Sequence, residues 1–180
     1  FLIALLHFIT RSPYRLRGSL NFTIMPRPAT GSYPAYFETY ISLVPGDDVL
    51  EAIRAQDKLI NEWLPSIAEN KHEYAYAPGK WTVKELLQHI IDTERIFQYR
   101  ALCFARQEKQ SLPGFEENDY AAVSNAKARS WQELCDEMKI LRQCTLLMYE
   151  SFSQKMLAQE GVANNKPFSC NAIGFCIAGH

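Results

Sequence analysis

Apolar residues recur at helical spacing in four segments of the chain, each bounded by residues that start or stop a helix. Val49, Ile53, Ile60, Trp63, Leu64 and Ile67 follow Asp47 and Asp48, either of which can cap a first turn; the spacing predicts a first helix ending near Asn70. Pro78 and Gly79 then break the pattern, and Thr82 with Glu85 three residues later makes a capping box. Val83, Leu86, Ile90, Phe97, Ala101 and Phe104 continue as a buried stripe, which predicts a second helix to about Arg106, roughly 37 Å long at 1.5 Å per residue. Residues 107–129 hold Pro113, Gly114 and several polar side chains, and predict a long crossover with at most a short helix around Asp119 to Val123. Ser130 and Glu133 repeat the capping box ahead of a third helix, whose Trp131, Leu134, Met138, Leu141, Thr145, Met148 and Phe152 follow a near-heptad pattern. Gly161 to Pro167 reads as a polar turn. Ser169 can then cap a fourth helix through Ala172, Ile173, Phe175, Cys176 and Ile177 to His180. No repeat, low-complexity tract or strand pattern is present. These elements predict an all-α protein, an antiparallel four-helix bundle over residues 46–180. A fourth helix of roughly three turns is too short to cover three longer partners, so it is expected to be truncated at the C-terminus and to continue in the natural protein.

The N-terminal part differs. Pro26, Pro28, Pro34 and Pro45 forbid a long helix between residues 25 and 45, while Tyr33, Tyr36, Phe37 and Tyr40 supply rings that could cover a bundle surface; this stretch reads as a packed, irregular arm. Phe1 to Ile9 is apolar except for His7 but far short of the ~20 residues of a membrane helix, and it lacks the basic leader and small-residue cleavage site of a signal peptide. Residues 1–24 are expected to be translated upstream sequence or an artefactual extension before Met25, with a short peripheral membrane contact as the alternative.

Composition narrows the function. The chain has 180 residues, 47% of them apolar, enough for one domain with a substantial core. Its 19 basic and 20 acidic residues nearly cancel and form no basic run, so neither nucleic acid nor a membrane is the expected partner. Cys103, Cys135, Cys144, Cys170 and Cys176 include no CxxC pair and fit free thiols in a reducing compartment, which points to a cytoplasmic location.

The candidate chemistry centres on His89, at the flank of the stripe in the middle of the second helix. Glu85 lies one turn before it and Asp92 nearly one turn after, on the same face, so the imidazole could be a metal ligand with carboxylates behind it. Without further context, a hydrogen-bonded structural histidine with acidic neighbours is the commoner outcome. His180 stands on the apolar fourth helix, with Cys176 one turn before it, and two inward imidazoles on different helices can begin a metal site. A catalytic divalent site usually takes three protein ligands, so a third is expected at position 184; Cys176 is a weaker substitute that reads first as a small core residue. His72 falls in a connection and reads as surface decoration.

The run from Lys80 to Arg95 (Lys80, Trp81, Thr82, Val83, Lys84, Glu85, Leu86, Leu87, Gln88, His89, Ile90, Ile91, Asp92, Thr93, Glu94, Arg95), followed by Tyr99, Arg100, Ala105 and Arg106, resembles the second-helix motif of the DinB family. The Leu112, Pro113, Gly114, Phe115 turn with Glu117 and Asn118, and the closing Ala178, Gly179, His180, are similar to that family as well. The resemblance covers about residues 25–180. It implies a four-helix bundle in which His89 and an HxxxH pair beginning at His180 bind a divalent metal, commonly zinc or nickel. It further implies a metal-dependent thiol S-transferase or hydrolase acting on a small molecule, with a low-molecular-weight thiol as a potential cosubstrate. Asp92 would orient His89, Glu85 would serve as cap or base, and Arg95, Tyr99 and Arg100 could reach the mouth of the site, although Arg100 reads equally well as a surface ion pair. The alternative is a non-catalytic metal-binding or dimerising bundle, with a homodimer compatible with either reading.

Overall fold

The computed structural model describes residues 26–180, so the expectations for residues 1–24 lie outside the described residues. A 3₁₀ turn at Ala35–Phe37 leads into α1 (Glu38–Ile41), followed by α2 (Val49–Ala55) and the long α3 (Val83–Ala105). The crossover carries α4 (Glu117–Val123), after which come α5 (Trp131–Glu150), α6 (Gln154–Leu157), β1 (Glu160–Ala163), β2 (Lys166–Ser169) and α7 (Cys170–Gly179). The segment begun by α2, together with α3, α5 and α7, forms a four-helix bundle.

The helix starts follow the local chemistry. Thr82 Oγ1 accepts from the Glu85 amide at 3.2 Å while Glu85 Oε2 accepts from the Thr82 amide at 2.8 Å, and Ser130 and Glu133 repeat the exchange at 3.2 and 2.7 Å. Asp48 Oδ1 caps α2 by accepting from Leu50 and Glu51, and Ser169 Oγ caps α7 by accepting from Ala172. Each such cap contributes ~1 kcal/mol. α7 is the most apolar element, with Cys170 to Ala178 all buried, and it packs against α1, α2 and α3. A hydrophobic helix enclosed on every side is what a bundle's central strut requires.

Four expectations need correction. The first helix does not run unbroken to Asn70: α2 ends at Ala55, a wide π turn occupies Leu59–Trp63, and a 3₁₀ turn Leu64–Ser66 contains Pro65. Proline has no amide proton and its ring crowds the carbonyl four residues back, so a regular ladder cannot pass it. The polar turn at 161–167 is a β-hairpin in which Glu160 pairs with Ser169 and Ala163 with Lys166. Asn164 and Asn165 take φ of 50° and 58°, the left-handed pair that suits a two-residue hairpin and that Asn tolerates better than most residues. Leu112 bonds to both sides of β1's end, tying the crossover to the hairpin. The stripe of α3 holds at Phe97, Ala101 and Phe104 but departs towards the N-terminus, where Leu86 is exposed and Leu87, Ile91 and Glu94 are buried, because α3 packs against α5 and α7 together. His72 is a brace rather than decoration, its ring stacked on Trp131 at 4.5 Å and its Nε2 2.9 Å from the Ile67 carbonyl.

All five cysteines are free, with Cys135, Cys170 and Cys176 buried. Among the described residues no helix is long and apolar enough to cross a membrane.

Candidate functional site

Two elements that start far apart in sequence deliver the histidines. His89 lies two turns into α3, and its position there is set by the capping box that registers the helix at Thr82. His180 follows α7 as its C-cap residue, its amide bonded to the Cys176 carbonyl at 2.9 Å. The two rings face each other with centroids 5.2 Å apart and planes inclined by 67°. Trp81 stands 4.8 Å from the His89 ring and Tyr40 stands 5.0 Å from the His180 ring, so each imidazole has an aromatic neighbour besides the other. The arm therefore does more than cover the bundle: it supplies one wall of the site. It reaches α7 closely because residue 179 is glycine. A Cβ there would fall 2.1 Å from the Tyr40 carbonyl oxygen. Gly179→Ala is expected to push the arm away from α7, with a loss of about 1–3 kcal/mol in urea denaturation and a displaced His180 ring resonance in NMR; an unchanged spectrum would show that the arm does not hold that ring.

Burial lowers the His89 pKa below its usual 6.5, opposed by the negative charges of Glu117 and Asp92. His180 is lowered to about 4, first by burial and then by His89 and Arg142. Desolvation disfavours imidazolium, so both rings are neutral at pH 7 and each keeps a nitrogen lone pair.

His180 opens into a pocket of about 290 Å³ formed between the arm, α3, the crossover and the hairpin. Phe37, Phe97, Phe115 and Phe168 give it an apolar interior, while Thr93, Arg100, Glu117 and Lys166 add polar groups. Thr93 Oγ1 is buried, without a hydrogen-bond partner among the described residues, although buried hydroxyls are ordinarily paired.

The other expected residues distribute unevenly. Asp92 accepts a hydrogen bond from Gln88 Nε2 at 2.9 Å and lies 3.9 Å from Arg95; its influence on His89 is through charge. Glu85 is engaged in its capping box and 3.4 Å from Lys127, and the Thr82 amide holds its carboxyl below the usual range. Cys176 is enclosed in the core, where burial pushes its thiol up, away from thiolate. Arg95 pairs with Glu137 at 2.5 Å and Tyr99 is exposed, so neither reaches the pocket, whereas Arg100 is buried and lines it. Tyr40, Trp81, Thr93 and Glu117 had not been singled out for the site. Thr93 alone carried a readable signal, standing one turn after His89 on the same face. Among the described residues no three His, Cys, Asp or Glu side chains converge as a metal cage.

Among solved structures the chain is similar to YfiT from Bacillus subtilis, described as "a probable metal-dependent hydrolase with an unusual four-helix bundle topology". The TM-score is 0.59 at 15% identity, over 84% of this chain and 83% of that one. At that identity the likeness establishes the shared fold. No curated protein matches the chain. The sequence profile of the DinB superfamily matches residues 52–180, a span that contains both histidines and the four struts apart from the first turn of α2. The chain belongs to the DinB superfamily.

Proposed function

We propose that this protein is a metal-dependent enzyme acting on a small molecule, a hydrolase or a thiol S-transferase, in which His89 and His180 are two ligands of one divalent cation, zinc or nickel. The observation that carries this reading is the meeting of two neutral, buried imidazoles, one of which, His180, lines a pocket. With ring centroids 5.2 Å apart, His89 and His180 are close enough that both would hold one cation through imidazole nitrogens. A catalytic divalent site usually takes three protein ligands, of which His89 and His180 would be two. A divalent cation held by His89 and His180 would supply Lewis acidity, bringing the pKa of a water or a small thiol towards ~7.

The chain's own residues would do the rest. Trp81 and Tyr40 fix the planes of the two rings and keep water from their faces. Asp92 supports His89 through its charge. Glu117 is the carboxylate on the pocket wall that can take a proton from the nucleophile. Thr93 offers an unused hydroxyl to the substrate. The name given to YfiT supports the hydrolase branch, and the family resemblance supports the thiol branch.

The test combines metal analysis with turnover. One equivalent of zinc or nickel is expected in the wild-type protein, with affinity weakened at least about tenfold in His89→Ala. Hydrolysis across a panel of activated esters, or transfer of a small thiol to an electrophile, is expected to vanish in the same variant. Bound metal with no turnover on either panel would leave a non-catalytic metal-binding module, and absence of metal binding would remove the proposal altogether.

A further inference from the structure

Arg100 is the group in the pocket that the proposed metal chemistry leaves unused. It lies on the face of α3 that carries His89, Thr93 and Phe97, about three turns beyond His89, and its residue is only 8% exposed. The other buried cations are matched: Arg142 by Glu94 at 2.9 Å and Lys84 by Glu73 at 2.8 Å. Arg100 has no carboxylate within ion-pair distance among the described residues. One of its five N–H donors goes to the Pro113 carbonyl at 2.9 Å, and the rings of Phe97 and Phe115 flank the guanidinium at 5.7 and 5.9 Å. A charge this deep is ordinarily paired, since its desolvation is otherwise uncompensated. Lys166, elsewhere on the pocket wall, also forms no ion pair among the described residues. The wall's carboxylate, Glu117, acts electrostatically on His89 and Tyr40, so negative charge is associated with the histidine end.

We infer that Arg100 is the anion-recognition residue of this pocket: its natural occupant is a small molecule with a carboxylate that pairs with the Arg100 guanidinium, and with an apolar segment that lies among Phe37, Phe97 and Phe168. The planar fork of an arginine matches the two oxygens of a carboxylate, and the two ring faces hold that fork in place. That the far end of the molecule reacts beside His180 rests on the function proposed above; the recognition of the carboxylate does not.

The experiment therefore uses metal-free protein. Calorimetric titration of the EDTA-treated full chain with phenylacetate and with phenylacetamide compares a charged and a neutral probe of nearly the same shape. Phenylacetate is expected to bind at least tenfold more tightly. The preference should vanish in Arg100→Gln, survive in part in Arg100→Lys, and persist in His89→Ala. Equal affinities in the wild-type protein, including no detectable heat from either probe, overturn the assignment, as does a preference that survives in Arg100→Gln. The wild-type comparison needs no variant, so a misfolded Arg100→Gln, recognised by lost helical circular dichroism, leaves the test standing. A protein that binds no metal yet prefers phenylacetate would refute the metal reading alone.

Discussion

Replacing Glu94 with Met is expected to destabilise the protein by roughly 3–5 kcal/mol, a fall in Tm on the order of 10 °C. Glu94 is 3% exposed and Arg142 6% exposed, and the guanidinium meets the carboxylate through both Nε and Nη2 at 2.9–3.2 Å. Thr145 donates its hydroxyl to the same carboxylate, and Arg142 Nη2 reaches the Ile177 carbonyl at 3.5 Å. The network thereby joins α3, α5 and the last turn of α7. The variant leaves Arg142 charged, buried and unmatched, and that uncompensated charge is the source of the large loss. Adding Arg142→Met removes the charge along with its partner, so the double variant should recover much of the stability. Thermal unfolding of the single and double variants measures both effects. A single-variant loss below ~1 kcal/mol would mean that water reaches the pair. The network also bears on the site, because the Arg142 charge helps to keep His180 neutral.

Acid should unfold the metal-free protein earlier than its carboxylates alone would. His180 titrates at about 4 in the fold against 6.5 ordinarily, so between those values the unfolded chain binds more protons than the folded one. Stability is then flat above pH 6.5, declines as the pH falls towards 4, and by that point has lost roughly 3 kcal/mol through this residue. His89, lowered in the same direction, adds to the slope. Glu85 and Glu137, whose carboxyls are also held low, contribute only below their usual 4.5, so the interval from 6.5 to 5 belongs to the two histidines. Urea midpoints of EDTA-treated wild type at pH 7 and pH 5 should differ, and the difference should shrink in His180→Ala. Equal slopes in the two proteins would show that the imidazole is solvated.

The helix boundaries were readable to the extent that they depend on neighbours in sequence. Thr82 with Glu85 and Ser130 with Glu133 announced α3 and α5 because a capping box closes over four residues. The same locality made a stop before Asn70 predictable from Pro65, a signal that the apolar spacing through Ile67 obscured. The hairpin was harder to foresee. Its strands are four residues each, with little alternation, and Asn164–Asn165 was its only strong sign. His89 was legible as a candidate from its place on the helix face, and His180 from its apolar surroundings together with the family resemblance.

The pairing of groups across elements was not legible. Glu94 and Arg142 look like ordinary surface charges on their own helices, and only the approach of α3 to α5 makes them a buried pair. Arg100 and Arg95 are five residues apart and equally basic; the rotation of α3 between α5 and α7 buries one at the pocket and leaves the other paired to Glu137. Tyr40 belongs to a segment whose prolines reveal no packing direction, and it reaches His180 because Gly179 leaves room for its backbone. The sequence by itself determined where the main helices start, which segments are apolar enough to be enclosed, and that two histidines occupy apolar helical ground. The tertiary structure decided which faces turn inward, which charges lose water, and which rings surround the imidazoles. Caps and periodicity act within a turn or two of the chain, whereas desolvation depends on every element that packs against a side chain.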